Sequence, residues 1–194
     1  MPLPRRLALL LPLWASVGLG GCDGGPPLRT TFPPLRTDYL TPLQLGVGTI
    51  DVSALPPPNP LDELNPAPPG PALAQLVRDR LVAAGGTGKI LVTLDDATIA
   101  RGGDTLVGNL RLRLDISGAD GSNAGYAEAR VTRRLTGIDR DLRGALYDLT
   151  KQMLDAMNVE LEFQLKQNLH DLLQAPQTAP APAPVEQQDL APPS

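Results

Sequence analysis

Cysteine, histidine and tryptophan each occur once in the 194 residues, and aromatic side chains make up only 3% of the chain. One cysteine excludes an internal disulfide framework, and one histidine excludes the usual zinc sites and leaves little room for histidine-based catalysis. The formal net charge of −4 excludes a basic nucleic-acid binder, so no nucleic-acid partner is expected. No apolar run approaches the roughly 20 residues that a membrane-spanning helix needs. Proline is absent from residues 72–175 although the chain has 22 of them, every one at or before Pro71 or at or after Pro176. That window marks a folded body of one-domain size.

What is present begins with an export signal. Arg5 and Arg6 form a basic start, residues 7–17 an apolar stretch, and Gly18, Gly20 and Gly21 a small-residue end. The run is too short to span a bilayer, so residues 1–21 are expected to be removed. Leu19-Gly20-Gly21-Cys22 then resembles the bacterial lipobox. A narrow peptidase site takes small side chains before the scissile bond, and only a thiol can form the thioether to diacylglycerol. The resemblance implies Cys22 as the lipidated mature N-terminus, with covalent diacylglycerol and an N-acyl chain, and no other cofactor is expected. Two or more acyl chains make a stable anchor where one is marginal. The only thiol is thereby consumed, leaving none for a metal or a nucleophile. The expected address is the cell envelope, lipid-anchored and facing the periplasm. Asp23 after the lipidated cysteine favours the inner membrane over the outer, by the sorting rule of enteric bacteria.

Removing residues 1–21 takes away two arginines, which leaves 15 basic and 21 acidic side chains, a net charge of −6. Residues 22–42 read as a Pro-rich tether, and twenty extended residues reach roughly 60 Å at about 3.1 Å each. An acidic body on such a tether is expected to stand clear of an anionic leaflet. Phe32 and Tyr39 in the tether are expected to dock on the body. Residues 175–194, rich in Pro and Ala, read as a disordered tail.

The single domain is expected over residues 43–174. Residues 43–52 read as a strand whose parity switches near Gly46 and Gly48, as a bulge would produce. Residues 53–71 are a Pro-rich insertion, either a crossover wrapping its own domain or, through Leu61 and Leu64, a docking loop. Pro71 is placed to open a helix that Gly85 closes, with Leu73, Leu76, Val77, Leu81 and Ala84 on one stripe. Three alternating segments follow, 89–100, 105–117 and 125–135, joined by turn chemistry at hairpin length, hence an antiparallel meander. The first of them changes parity across Asp95-Asp96.

The last element is a helix over 139–174 capped by Asp139, about 54 Å long, which should overhang strands of about 40 Å. Its stripe changes line between Ala156 and Met157. Either the helix breaks near Asn158, or its second half, with Leu161, Leu165, Leu169 and Leu172, faces another surface. That surface is the tether, a protein partner or a second copy. The fold class is α+β, two-layered, with a mostly antiparallel four-stranded sheet in the order strand, helix, three-strand meander, long helix, and helices on one face.

Three motifs lead nowhere chemically. Gly85-Gly86-Thr87-Gly88-Lys89 lacks the first glycine and the Ser/Thr of a phosphate loop and runs helix to strand. Asp115, Asp120 and Asn123 lack calcium-loop spacing. His170-Asp171 has no serine in reach. No catalytic residues and no metal ligands are assigned, and no enzymatic activity is expected.

Residues 126–169, above all Leu146-Tyr147-Asp148-Leu149-Thr150-Lys151-Gln152-Met153 with Met157-Asn158-Val159-Glu160, resemble an uncharacterised family of small alphaproteobacterial lipoproteins. The order of elements is similar, in topology alone, to the auxiliary lipoproteins of ABC-type transporters and the lipopolysaccharide-assembly lipoprotein. The resemblance implies an accessory or scaffold component of an envelope transport or assembly complex, or alternatively a periplasmic carrier of lipid or another apolar ligand.

Overall fold

A computed structural model of the chain describes residues 28–138 and 140–173. Leu19, Gly20, Gly21, Cys22, the cap expected at Asp139 and the tail 175–194 lie outside the described residues.

The meander forms as its alternation requires. Strands β4 (Lys89–Gly102), β5 (Thr105–Ser117) and β6 (Asn123–Leu135) pair antiparallel, and β2 (Thr49–Val52) adds in parallel to β4, giving the order β2-β4-β5-β6. The parity change at Asp95 is a bulge between Leu94 and Asp96. It keeps Ile90, Val92, Leu94, Ala97 and Ile99 on the buried face, where Leu106 to Ile116 and Ala127 to Val131 join them at alternate positions. Both helices, α1 (Pro69–Arg80) and α2 (Leu142–Asn168), pack on that face. The structure is thus the two-layer α+β body expected.

Residues 43–52 are not one bulged strand. They form β1 (Leu43–Leu45) and β2, which belong to two sheets, because β1 pairs in parallel with β3 (Leu81–Ala83). The switch occurs where two glycine-rich segments cross backbone to backbone. Gly48 N–H donates to the Gly88 carbonyl at 2.8 Å, and a Cβ on Gly86, whose φ is +135°, would run into the carbonyl of Gly46. The run resembling a phosphate loop is therefore glycine-rich so that two backbones can touch. Because β3 begins at Leu81, α1 ends at Arg80 rather than at Gly85.

The long helix also differs from expectation. It starts after Asp141, which caps it by accepting from Gly144 N–H at 2.8 Å, and it stops at Asn168, followed by a 3₁₀ turn at His170–Leu172. Its 27 residues span about 40 Å and do not overhang strands of 13 or 14 residues, which span about 45 Å.

Nor does the helix break near Asn158. Leu149, Met153, Met157, Leu161, Leu165 and Leu169 follow one another at intervals of four. Each step advances 400°, 40° past a full turn, so the stripe winds around the axis as the helix crosses a twisted sheet. Leu161 and Leu165 are 0% exposed and Leu169 5%. The interface expected at these three leucines is core, enclosed by the sheet on one side and α1 on the other. Leu172 is half-buried, and its carbonyl accepts from Gly46 N–H at 2.7 Å, closing the C-terminal turn onto β1.

Candidate functional site

The described part of the tether is a strap bound to the body. Arg29 enters at the first turns of α2, where its guanidinium donates to Asp148 at 2.7 and 2.9 Å and to Asp141 at 3.2 Å. Phe32 packs on Tyr147 with ring centroids 5.4 Å apart, between the guanidinium groups of Arg29 and Arg143. The Tyr147 hydroxyl donates to the Pro33 carbonyl at 2.9 Å, and Thr37, buried, bonds Asp79 near the end of α1. The strap thus climbs α2 from its N-terminus and crosses to α1. Phe32 docks as expected. Tyr39 is 72% exposed and borders an open cleft of about 320 Å³ with Leu35, Tyr147, Lys151 and Leu154.

The 60 Å stand-off does not survive this arrangement, since residues from Arg29 onward are spent on the body's surface. From Cys22 to Arg29 the chain can span at most about 25 Å, seven steps of up to ~3.6 Å.

Electrostatics hold the seat. The Asp141 carboxyl lies below the usual carboxylate range, chiefly because it accepts from the Gly144 N–H, with Arg29 adding to the effect against the cost of desolvation. Gly144 leaves room for this pair, because a Cβ would displace both the Asp141 carboxylate and the Arg29 guanidinium. Asp141→Ala removes a cap and one of the two carboxylates that hold Arg29. It is expected to cost about 1–2 kcal/mol, read as a lower urea midpoint, and to expose the strap to protease, whereas Asp148→Ala leaves the cap in place and weakens the strap alone.

The Pro-rich insertion is a crossover wrapping its own domain. Ser53 Oγ accepts from Leu94 N–H at 3.2 Å, and Asn65, buried, donates to Thr150 Oγ1 at 3.0 Å. Leu61 is half-buried against the core, and Leu64 is 47% exposed. His170 and Asp171 form a 2.9 Å pair on the terminal turn, both open to solvent.

Two constellations escaped the sequence reading. One is the strap's arginine, which needs partners more than a hundred residues away and leaves no local mark. The other is Arg80, 3% exposed, which donates to Asn158 at 2.6 Å and Glu162 at 2.7 Å and ties α1 to α2. Arg80 did leave a signal, for it lies seven residues after Leu73 on the apolar stripe.

On the surface left uncovered, the outer sheet face carries charged rungs such as Asp96 opposite Arg111 and Arg113 opposite Glu128. The outer side of α2 carries Val159 and Phe163, 67% and 48% exposed and four residues apart. No described helix is long and apolar enough to cross a membrane.

No family model matches the chain, and no curated protein matches it. Among solved structures, a minor lipoprotein from Acinetobacter baumannii matches with 10% identity and a TM-score of 0.35, over 67% of this chain and 97% of that one. An uncharacterised lipoprotein B from Nitrosomonas europaea matches with 15% identity and a TM-score of 0.33, over 74% and 97%. Lipoprotein GNA1162 from Neisseria meningitidis matches with 9% identity and a TM-score of 0.29, over 59% and 98%. All three are lipoproteins by description, and at these TM-scores the likeness carries no argument about activity.

Proposed function

We propose that the chain is a lipid-anchored envelope lipoprotein whose body is a non-enzymatic accessory or scaffold component of a transport or assembly complex. The observation that carries the first half is Leu19-Gly20-Gly21-Cys22 after a basic and apolar leader, with the chain bound to its own body seven residues later, at Arg29. The second half rests on surface chemistry. Leu161, Leu165 and Leu169 are spent on the core, so the docking face of the C-terminal helix is its outer side, at Val159 and Phe163. An aromatic and a β-branched side chain one turn apart fit the apolar anchors that dominate protein interfaces. Photo-crosslinkers placed at Val159 and Phe163 in intact envelopes are expected to capture a discrete protein partner or a second copy, and one at Thr87 is not. Equal, diffuse labelling from all three positions overturns the docking assignment.

The carrier alternative needs room between sheet and long helix. That layer is filled by Leu110, Leu112, Leu114, Leu146, Leu149 and Met153, all below 2% exposed. No observation favours it.

A further inference from the structure

We propose that the pole of the body formed by the start of α2, the β4–β5 hairpin and the end of β6 is a membrane-facing surface, which lays its arginines on anionic phospholipid headgroups of the leaflet holding the anchor. The proposal rests on the lipidation of Cys22 proposed above.

Topology brings these pieces to one end. The hairpin turn runs from Gly102 to Thr105, and Leu135, at the end of β6, lies opposite Leu106 just after that turn. Ile138 N–H donates to the Asp104 carbonyl at 3.0 Å, tying the turn to the segment that leads into α2. Arg29 meets Asp141 and Asp148 at this same end, so the chain from Cys22 arrives here. A span of at most about 25 Å keeps this end within reach of the bilayer, and which way the body then turns is left to its surface charge.

The arginines sort by position. Arg29, Arg36, Arg80, Arg111, Arg113 and Arg130 each lie within 4 Å of a carboxylate. Six arginines are exposed and have no carboxylate partner among the described residues: Arg78, which bonds Gln75 on α1, and Arg101, Arg133, Arg134, Arg140 and Arg143. The last five belong to this pole. With Arg29 they set six positive charges against Asp104, Asp141 and Asp148, a net of +3 among the described residues, and Asp139 in the same stretch of sequence lowers it to +2. The chain from Cys22 onward carries −6, so the charge is strongly polarised. The opposite end exposes Asp120 and Asp171. Arg143 also stacks on Phe32 at 5.7 Å, which ties the basic pole to the strap.

An acidic body is repelled by an anionic leaflet as a whole, and the polarised one lowers its energy by turning its basic end down. Screening confines that attraction to about 10 Å at 0.1 M salt, a distance the free span lets the pole close. Five unpaired arginines at the entry point of an anchor are therefore an orienting device. Scattered over the surface they would serve solubility alone.

The test uses the processed, lipidated protein in vesicles. Its only native thiol is blocked, so a single new cysteine carries a fluorophore either at the basic pole (Thr136→Cys) or at the far end (Thr87→Cys). Energy transfer is read to an acceptor on lipid headgroups. In phosphatidylglycerol/phosphatidylethanolamine vesicles, transfer from position 136 is expected to exceed that from position 87. The excess is expected to be lost in phosphatidylcholine vesicles, in salt raised about tenfold, and when Arg101, Arg133, Arg134 and Arg140 are all replaced by Glu. A milder set with Gln at the same four positions serves if the Glu set folds poorly. Equal transfer from both positions overturns the proposal. So does an excess that ignores lipid charge and the substitutions, which would point to a protein or steric cause.

Intact mass separates this from failure of the anchor. If Cys22 proves unacylated the lipoprotein assignment falls. Flotation of that protein with phosphatidylglycerol vesicles then decides the basic pole: flotation that the Glu set abolishes upholds it, and no flotation overturns it.

Discussion

Leu165→Asp is expected to unfold the body, with loss of the cooperative urea transition or a fall of most of its midpoint. Leu165 is 0% exposed, in the last turn of α2 on its buried stripe. Removing a buried leucine costs about 2–5 kcal/mol, and placing a carboxyl there without partners adds several more, against a typical domain stability of 5–15 kcal/mol. Phe163→Asp, two residues away but 48% exposed, is expected to shift the midpoint by less than about 1 kcal/mol. The contrast discriminates sharply, because a helix whose leucines faced a partner would give the reverse. A folded Leu165→Asp protein with a wild-type midpoint would place that leucine outside the core.

The second large effect concerns the clamp between the helices, and it is asymmetric. Glu162→Ala leaves the Arg80 guanidinium 97% buried with only Asn158 as an accepting side chain, and arginine cannot shed its charge. Breaking a buried pair by removing one partner costs about 3–5 kcal/mol, and the remaining bond to Asn158 brings the expectation to about 2–4 kcal/mol. Arg80→Met removes the charge and keeps most of the packing, while Glu162, one-third exposed, retains water and Lys166 at 2.6 Å. It should therefore cost less than Glu162→Ala. Urea titrations of the two variants side by side check the order, and equal losses would show that lost packing outweighs the stranded charge.

Acid carries a related signature. The Glu162 carboxyl is held below its ordinary 4.5, mainly by the hydrogen bond from Lys166, with Arg80 adding to it against partial desolvation. A depressed carboxylate contributes stability that is complete above its unfolded value and is lost as pH falls through the folded one. Glu162→Gln is expected to remove that part of the decline below about pH 4.5, seen as a flatter dependence of the urea midpoint on pH.

Much of the fold was legible because it is locally encoded. Alternation along 105–117 dictates a strand with one wet face, and the double acid at Asp95-Asp96 marks the bulge because only an extra residue can restore parity. Docking of the tether through Phe32 was legible, but the Arg29 seat of the strap, the clamp and the inward turn of Leu161, Leu165 and Leu169 were not. An interval of four is compatible with an outward-turning face and with a stripe following a twisted sheet, and nothing within the helix distinguishes them. Arg80 was the nearest to a visible clue, a charge on an apolar stripe that demands a partner from elsewhere.

The sequence alone determined the strand and helix types, the parity of the meander and the place of the lone cysteine after its small-residue leader. Those depend on neighbours in the chain, on side-chain periodicity and backbone chemistry. Tertiary structure alone decided which leucines are core, that the tether is seated on α2 from Arg29 onward, and that five of the six exposed arginines without a carboxylate partner gather at one pole. Burial and charge pairing depend on surfaces brought together from residues about a hundred apart, and the scarcity of cysteine, histidine and aromatics says nothing about how those surfaces meet.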